Sequence, residues 1–146
     1  ERLAARGAEL FVEGIDLVAS GRAVFTPQDE RQVVHCRLFE KGDGLIQWQK
    51  PAWEIHNLVR AAIPWPVAYT PFRGEPMRIW RTEALDESAA DAPGAIIRIE
   101  KERIAVATGK GVLAILALQA PGKRIMHVDE YLRGRAVSPG ERFGEA

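Results

Sequence analysis

Residues 95–118 read AIIRIEKERIAVATGKGVLAILAL, and this stretch decides the fold. It contains three short apolar runs, Ala95–Ile99, Arg103–Thr108 and Val112–Leu118. A charged segment separates the first two, and Gly109-Lys110-Gly111 separates the last two. Runs this short, bounded by turn residues and rich in Ile and Val, predict strands rather than helices. Gly109-Lys110-Gly111 lacks the rest of a phosphate-binding loop and reads as a hairpin turn.

The same rhythm continues upstream. Val67–Phe72 and Met77–Leu85 are two further strand candidates, broken by Arg73-Gly74-Glu75-Pro76. Pro93-Gly94 and Pro121-Gly122 supply the remaining breaks. The spacing predicts a mainly β domain, a small barrel or sandwich, and an OB-fold-like barrel of five to six strands is the commonest barrel of that size. A short helix at Val128–Arg135 and a tail from Val137 complete it.

Residues 51–63 have a different period. Ala52, Ile55, Leu58, Val59 and Ala62 recur at three- and four-residue steps, which predicts a helix with one buried stripe. Pro51 suits its first turn, and Pro64 ends it. Pro64-Trp65-Pro66 then forms a stiff corner, with Trp65 expected in the core beside Trp80. Residues 1–20 form a second amphipathic helix through Leu3, Gly7, Leu10, Phe11, Gly14, Leu17 and Val18, stopped by Ser20-Gly21. A chain that opens in this way, without an initiating Met, reads as part of a longer protein. Between the helices lies a polar arm with Thr26-Pro27-Gln28-Asp29-Glu30, a short strand expected at Val33–Phe39, and a turn at Lys41-Gly42-Asp43-Gly44.

Composition narrows the function. Twenty basic and twenty acidic residues balance, which argues against a strongly basic nucleic-acid domain but leaves room for a basic patch. The single cysteine, Cys36, excludes an internal disulfide and a Cys-based metal site, and fits an intracellular reducing compartment. It follows Val33-Val34 and is expected to be a buried, inert thiol. No apolar run reaches the roughly 18 residues needed to span a membrane.

No set of residues assembles into a catalytic constellation. His35, His56 and His127 have no Asp, Cys or Ser at a recognised motif spacing. Glu83, Asp86, Glu87 and Asp91 form an acidic run that reads as a solvated loop rather than a metal site. From Arg103 to Arg124 there are four bases (Arg103, Lys110, Lys123, Arg124) and no acid. Arg133 and Arg135 follow. On a small barrel such bases could share one rim and meet a phosphate backbone. Trp48, Trp53, Trp65 and Trp80 are candidate stacking partners.

Three stretches point to a family. They are Gly44-Leu45-Ile46-Gln47-Trp48-Gln49-Lys50-Pro51-Ala52, then Ile55-His56-Asn57-Leu58-Val59-Arg60-Ala61, then Pro64-Trp65-Pro66-Val67-Ala68-Tyr69-Thr70. Together with Val106-Ala107-Thr108-Gly109-Lys110-Gly111, Leu118-Gln119 and Gly122-Lys123-Arg124-Ile125-Met126, they resemble the carboxyl-terminal domain of the 10-formyltetrahydrofolate-dependent formyltransferases. Within that superfamily the resemblance is strongest to the methionyl-tRNA formyltransferases. It departs at Gln47, where an acidic residue is usual, and at Val67, where Gly commonly follows Pro-Trp-Pro.

The resemblance implies a two-part cytoplasmic enzyme. Residues 1–21 would be the last helix of an amino-terminal catalytic domain, 22–43 a linker, and 44–146 the OB-fold-like carboxyl-terminal domain. The amino-terminal domain would bind 10-formyltetrahydrofolate and carry the catalytic residues. This chain would contribute none of them and no cofactor or metal ligand. Its partner would be initiator Met-tRNA, with Lys41, Lys110, Lys123 and Arg124 on phosphates. Asn57, Arg60 and Trp65 would be structural, with Arg60 donating to carbonyls at the helix end or the Pro64–Pro66 corner. The competing possibilities are a structural or subunit-contact domain of a sugar-nucleotide N-formyltransferase and an accessory domain of a folate-dependent hydrolase or dehydrogenase.

Overall fold

The computed structural model describes residues 2–145, and the chain forms two compact units, Glu1–Arg37 and Leu38–Ala146. The first unit is dominated by helix α1, Arg2–Ala19. Ser20 Oγ donates to the Asp16 carbonyl at 2.7 Å. Gly21, at φ +68°, supplies the left-handed turn that stops the helix. Leu10, Phe11, Ile15 and Val18 are all exposed within this unit. Val33–Phe39 forms no strand, contrary to the sequence expectation. A strand needs a second edge to accept its ladder of N–H and C=O groups, and this segment joins no sheet. Cys36 lies in it and is exposed rather than buried, because no sheet forms around it.

The second unit opens on a tight turn at Lys41–Gly44. Its backbone is closed by a reciprocal cap in which the Glu40 N–H donates to Asp43 Oδ2 at 2.7 Å. Ile46 and Trp48 then point inward. Helix α2 spans Ala52–Ala61, with Pro51 as its cap residue, and buries Ala52, Ile55 and Val59. The corner that follows contains cis peptide bonds at Ile63–Pro64 and Trp65–Pro66.

Six antiparallel strands follow: β1 Ala68–Phe72, β2 Glu75–Leu85, β3 Ile96–Ile99, β4 Ile104–Ala107, β5 Val112–Gln119 and β6 Met126–His127. Their order is β1-β2-β5-β4-β3, with β6 on the far end of β5. Strand β5 is central because nearly every one of its residues is apolar and buried. Its run without alternation is the pattern of a strand covered on both faces, and α2 packs against both β2 and β5. Helix α3, Val128–Gly134, covers β5 and β6 near the other end.

The sheet does not close strand to strand. The tail bridges its two edges instead. Gly140 N–H donates to Ile96 O and Ile96 N–H to Glu141 O, both at 2.8 Å. Phe143 N–H donates to Gly94 O at 2.9 Å, and Gly144 N–H to Pro71 O at 2.8 Å. Residues 140–144 therefore link the β3 edge to the β1 edge. The Phe143 ring seals the join, 4.5 Å from the Phe72 centroid and 5.7 Å from that of Trp48. Arg73 locks the tail from outside with a two-pronged bond to Glu141, at 2.7 and 2.8 Å, and a third bond to the Ala136 carbonyl.

Two glycines sit where the backbone approaches too closely for any side chain. A Cβ on Gly109 would lie 1.7 Å from the Gln49 carbonyl oxygen, and one on Gly94 2.3 Å from the Phe143 oxygen. The predicted hairpin turn is thus also the seat against which the segment before α2 docks.

Candidate nucleic-acid interface

The described residues include no group of three His, Cys, Asp or Glu that could hold a metal. The histidines do not form a catalytic set. His56 Nδ1 lies 3.0 Å from Thr82 Oγ1, a bond between α2 and β2 that satisfies a buried hydroxyl. In the acidic run Glu83, Asp86, Glu87 and Asp91 are all exposed, and Glu87 pairs with Arg98 at 3.2 Å. Arg98 and Arg103 both hydrogen-bond Glu100 and hold its carboxyl below the usual glutamate range. Burial pushes the Tyr131 phenol up.

Two cations border a cleft of about 500 Å³. Lys41, Tyr69, Arg78 and Gln119 line it, with Pro66, Pro76 and the turn 120–122. Its floor is set by strand register. Tyr69 on β1 is directly opposite Arg78 on β2, and Arg78 is directly opposite Gln119 on β5. Directly opposed residues have Cβ atoms about 5 Å apart on one face of a sheet. Their neighbours Ala68, Thr70, Met77, Ile79 and Leu118 point into the core, so this row of three points outward. Gln119 is fixed at both ends: its Oε1 accepts from Trp80 Nε1 at 3.0 Å and its Nε2 donates to the Lys123 carbonyl at 2.8 Å. That network braces the turn carrying Lys123.

Lys41 reaches the same cleft through Gly44. A Cβ there would fall 2.6 Å from the Val67 carbonyl oxygen and 3.3 Å from the Tyr69 ring. A bare glycine therefore lets the Lys41–Gly44 turn lie against the corner before β1. Among the described residues, neither Lys41 nor Arg78 has a side-chain hydrogen bond or ion-pair partner. Two cations without an ion-pair partner thus line one concave surface.

The other residues singled out in the sequence fall differently. Arg124 is engaged by Glu130 in a two-pronged pair. Lys110 sits in the turn at the start of β5, whereas Lys123 follows its end. Eight residues of strand put these ends roughly 25 Å apart, so the bases of 103–135 do not gather on one rim. Arg60 donates to Asn57 Oδ1 at 2.7 Å, one turn back on the exposed face of α2, rather than to carbonyls at the corner. Trp65 is 57% exposed and Trp48 2%, the reverse of the expected roles. The corner runs over the surface, where its backbone can meet water, and Trp48 fills the interior with its Nε1 on Thr70 Oγ1 at 2.9 Å. Trp53 is also exposed. Sequence reasoning misses Arg78, although its place between the inward residues Met77 and Ile79 marks it as outward-facing.

Fold and site together define a small antiparallel β domain with a cleft lined by Lys41 and Arg78. The signature described as "Formyl transferase, C-terminal domain" matches residues 39–136, and the chain belongs to that family. It is 38% identical over 143 residues to the methionyl-tRNA formyltransferase of Agathobacter rectalis, covering 98% of this chain and 46% of that protein. Its identity to the methionyl-tRNA formyltransferase of Methylococcus capsulatus is 40% over 144 residues, covering 99% and 46%. The chain thus spans about half the length of these relatives. Among solved structures, HypX from Aquifex aeolicus in complex with tetrahydrofolic acid superposes with a TM-score of 0.61 at 17% identity, over 85% of this chain and 22% of that one. At that identity the likeness is one of fold. No helix among the described residues is long and apolar enough to cross a membrane.

Proposed function

We propose that this domain holds initiator Met-tRNA for a methionyl-tRNA formyltransferase in the cytoplasm, while an amino-terminal part outside this chain binds 10-formyltetrahydrofolate and transfers the formyl group. The observation that carries this reading is the pair of uncompensated cations, Lys41 and Arg78, facing one cleft beside the Lys123 turn. Lys123 follows the turn 120–122 that lines the cleft, Arg124 beside it is held by Glu130, and Lys110 would add a contact at the other end of β5. Contacts spread over roughly 25 Å suit a long polyanion and exceed the reach of one sugar nucleotide. Such contacts position the RNA without reading its sequence.

The test is fluorescence anisotropy of labelled initiator tRNA titrated with the chain at several salt concentrations. Each phosphate contact contributes about 0.7–0.9 to the slope of log affinity against log salt. Replacing Lys41, Arg78 and Lys123 together by Ala should lower that slope by about 2 and weaken binding at low salt. An unchanged slope would refute the assignment of these residues. Absence of binding at low salt would shift support to a structural domain of a sugar-nucleotide enzyme.

A further inference from the structure

The cleft is concave, and that shape carries more than a charge argument. A duplex presents phosphates on a convex surface and keeps its bases stacked inside. Its backbone would touch Lys41 and Arg78 at the rim and leave the space between them empty. That space, about 500 Å³, is of the size of pockets that enclose small organic ligands. One wall is the ring of Tyr69, flanked by Pro66 and Pro76. Strand register sets Tyr69 directly opposite Arg78, and both residues line the cleft. An aromatic face next to a cation is the arrangement that takes a base and its phosphate together.

We propose that the cleft between Lys41 and Arg78 receives one unstacked nucleotide of a bound RNA strand, its phosphate held by the two cations and its base laid against Tyr69. The proposal rests on the tRNA-holding reading and deepens it. Gln119 is held in place by its bonds to Trp80 and to the Lys123 carbonyl, so it forms a fixed part of the cleft wall. Stacking without hydrogen-bond readout tolerates any base, so the site selects for an unpaired nucleotide rather than for a sequence.

The experiment compares three labelled or competing probes with the chain: a single-stranded uridine tetranucleotide, a blunt-ended RNA duplex of two separate strands, and free uridine monophosphate. Tyr69→Leu should weaken the tetranucleotide about tenfold and leave the blunt duplex unchanged, because removal of one stacked ring acts on the unpaired strand alone. Arg78→Ala should weaken both. Tyr69 is half-buried, so a second measurement uses the unaltered chain: a tetranucleotide carrying 4-thiouridine is photocrosslinked and the adduct mapped. Attachment at Tyr69 or within 119–122 supports the proposal, and attachment confined elsewhere overturns it. Equal loss of both RNAs in Tyr69→Leu, or loss of neither, also overturns it. Uridine monophosphate competing as well as the tetranucleotide would reassign the cleft to free nucleotides. Failure of the tetranucleotide to bind while tRNA binds removes this proposal alone, and failure of both removes the tRNA-holding reading with it.

Discussion

Replacing Phe143 by Ala should melt the β domain far earlier than its place near the end of the chain would suggest. The ring is 2% exposed and lies between Trp48 and Phe72. Truncating a buried Phe costs about 3–5 kcal/mol, because transfer energy is lost and a cavity is left. A unit of roughly 110 residues has about 5–16 kcal/mol of total stability. At about 5 °C per kcal/mol for a domain of this size, the midpoint should fall by roughly 15–25 °C. Near-UV circular dichroism is the suitable assay, because the buried Trp48 reports on this unit and not on α1. Arg142→Ala is the matched control. It removes an exposed tail residue that pairs with Glu145 at 2.7 Å, and should stay within about 1 kcal/mol of the parent. A fall of less than about 5 °C for Phe143→Ala would refute the claim that the tail closes the barrel.

Four further outcomes follow from the same geometry. Gly109→Ala would force a Cβ to 1.7 Å from the Gln49 oxygen, and should cost about 3 kcal/mol or more by thermal melting; a midpoint equal to the parent's would show that the 47–51 segment does not dock on the hairpin. Arg60→Ala removes an exposed bond to Asn57, so chemical denaturation should register no more than about 0.5 kcal/mol. Glu130→Gln releases Arg124 from its ion pair, and initiator tRNA anisotropy should then show an affinity raised by about two- to fivefold at low salt. Glu100 should titrate below the usual glutamate range by carboxyl-detected NMR. Because its folded-state pKa is lowered, its favourable contribution is present above the unfolded value and is lost as pH falls through the folded one. Arg98→Ala should return the titration toward the usual range, since Arg98 is the leading cause.

Much of the fold is legible in the sequence because it is written in short-range pattern. The five apolar runs correspond to β1 to β5 with ends shifted by one or two residues, and the stripe of residues 51–63 corresponds to α2. The family is legible too, because its motifs lie in contiguous stretches. Val33–Phe39 misleads for a complementary reason: its apolar content fits a strand, but a strand exists only when another edge accepts its hydrogen bonds. Trp65 misleads because two flanking prolines look like a rigid core element, whereas burial depends on which ring the closed barrel admits.

The site is half visible. Lys41 and Lys123 stand out as turn cations, and the structure places one on the cleft and the other on its adjoining turn. Arg78 does not stand out, because its partners Tyr69 and Gln119 lie 9 and 41 positions away and are joined to it only by register. Period and turn chemistry, set by neighbours a few residues apart, make the strands, the hairpin turn and helix α2 a property of the sequence itself. The row Tyr69–Arg78–Gln119, the separation of Lys110 from Lys123 along β5, and the sealing of the sheet by Phe143 are decided by tertiary structure alone. Each depends on hydrogen-bond pairing and packing between segments far apart in the chain, and no local pattern encodes which edge meets which.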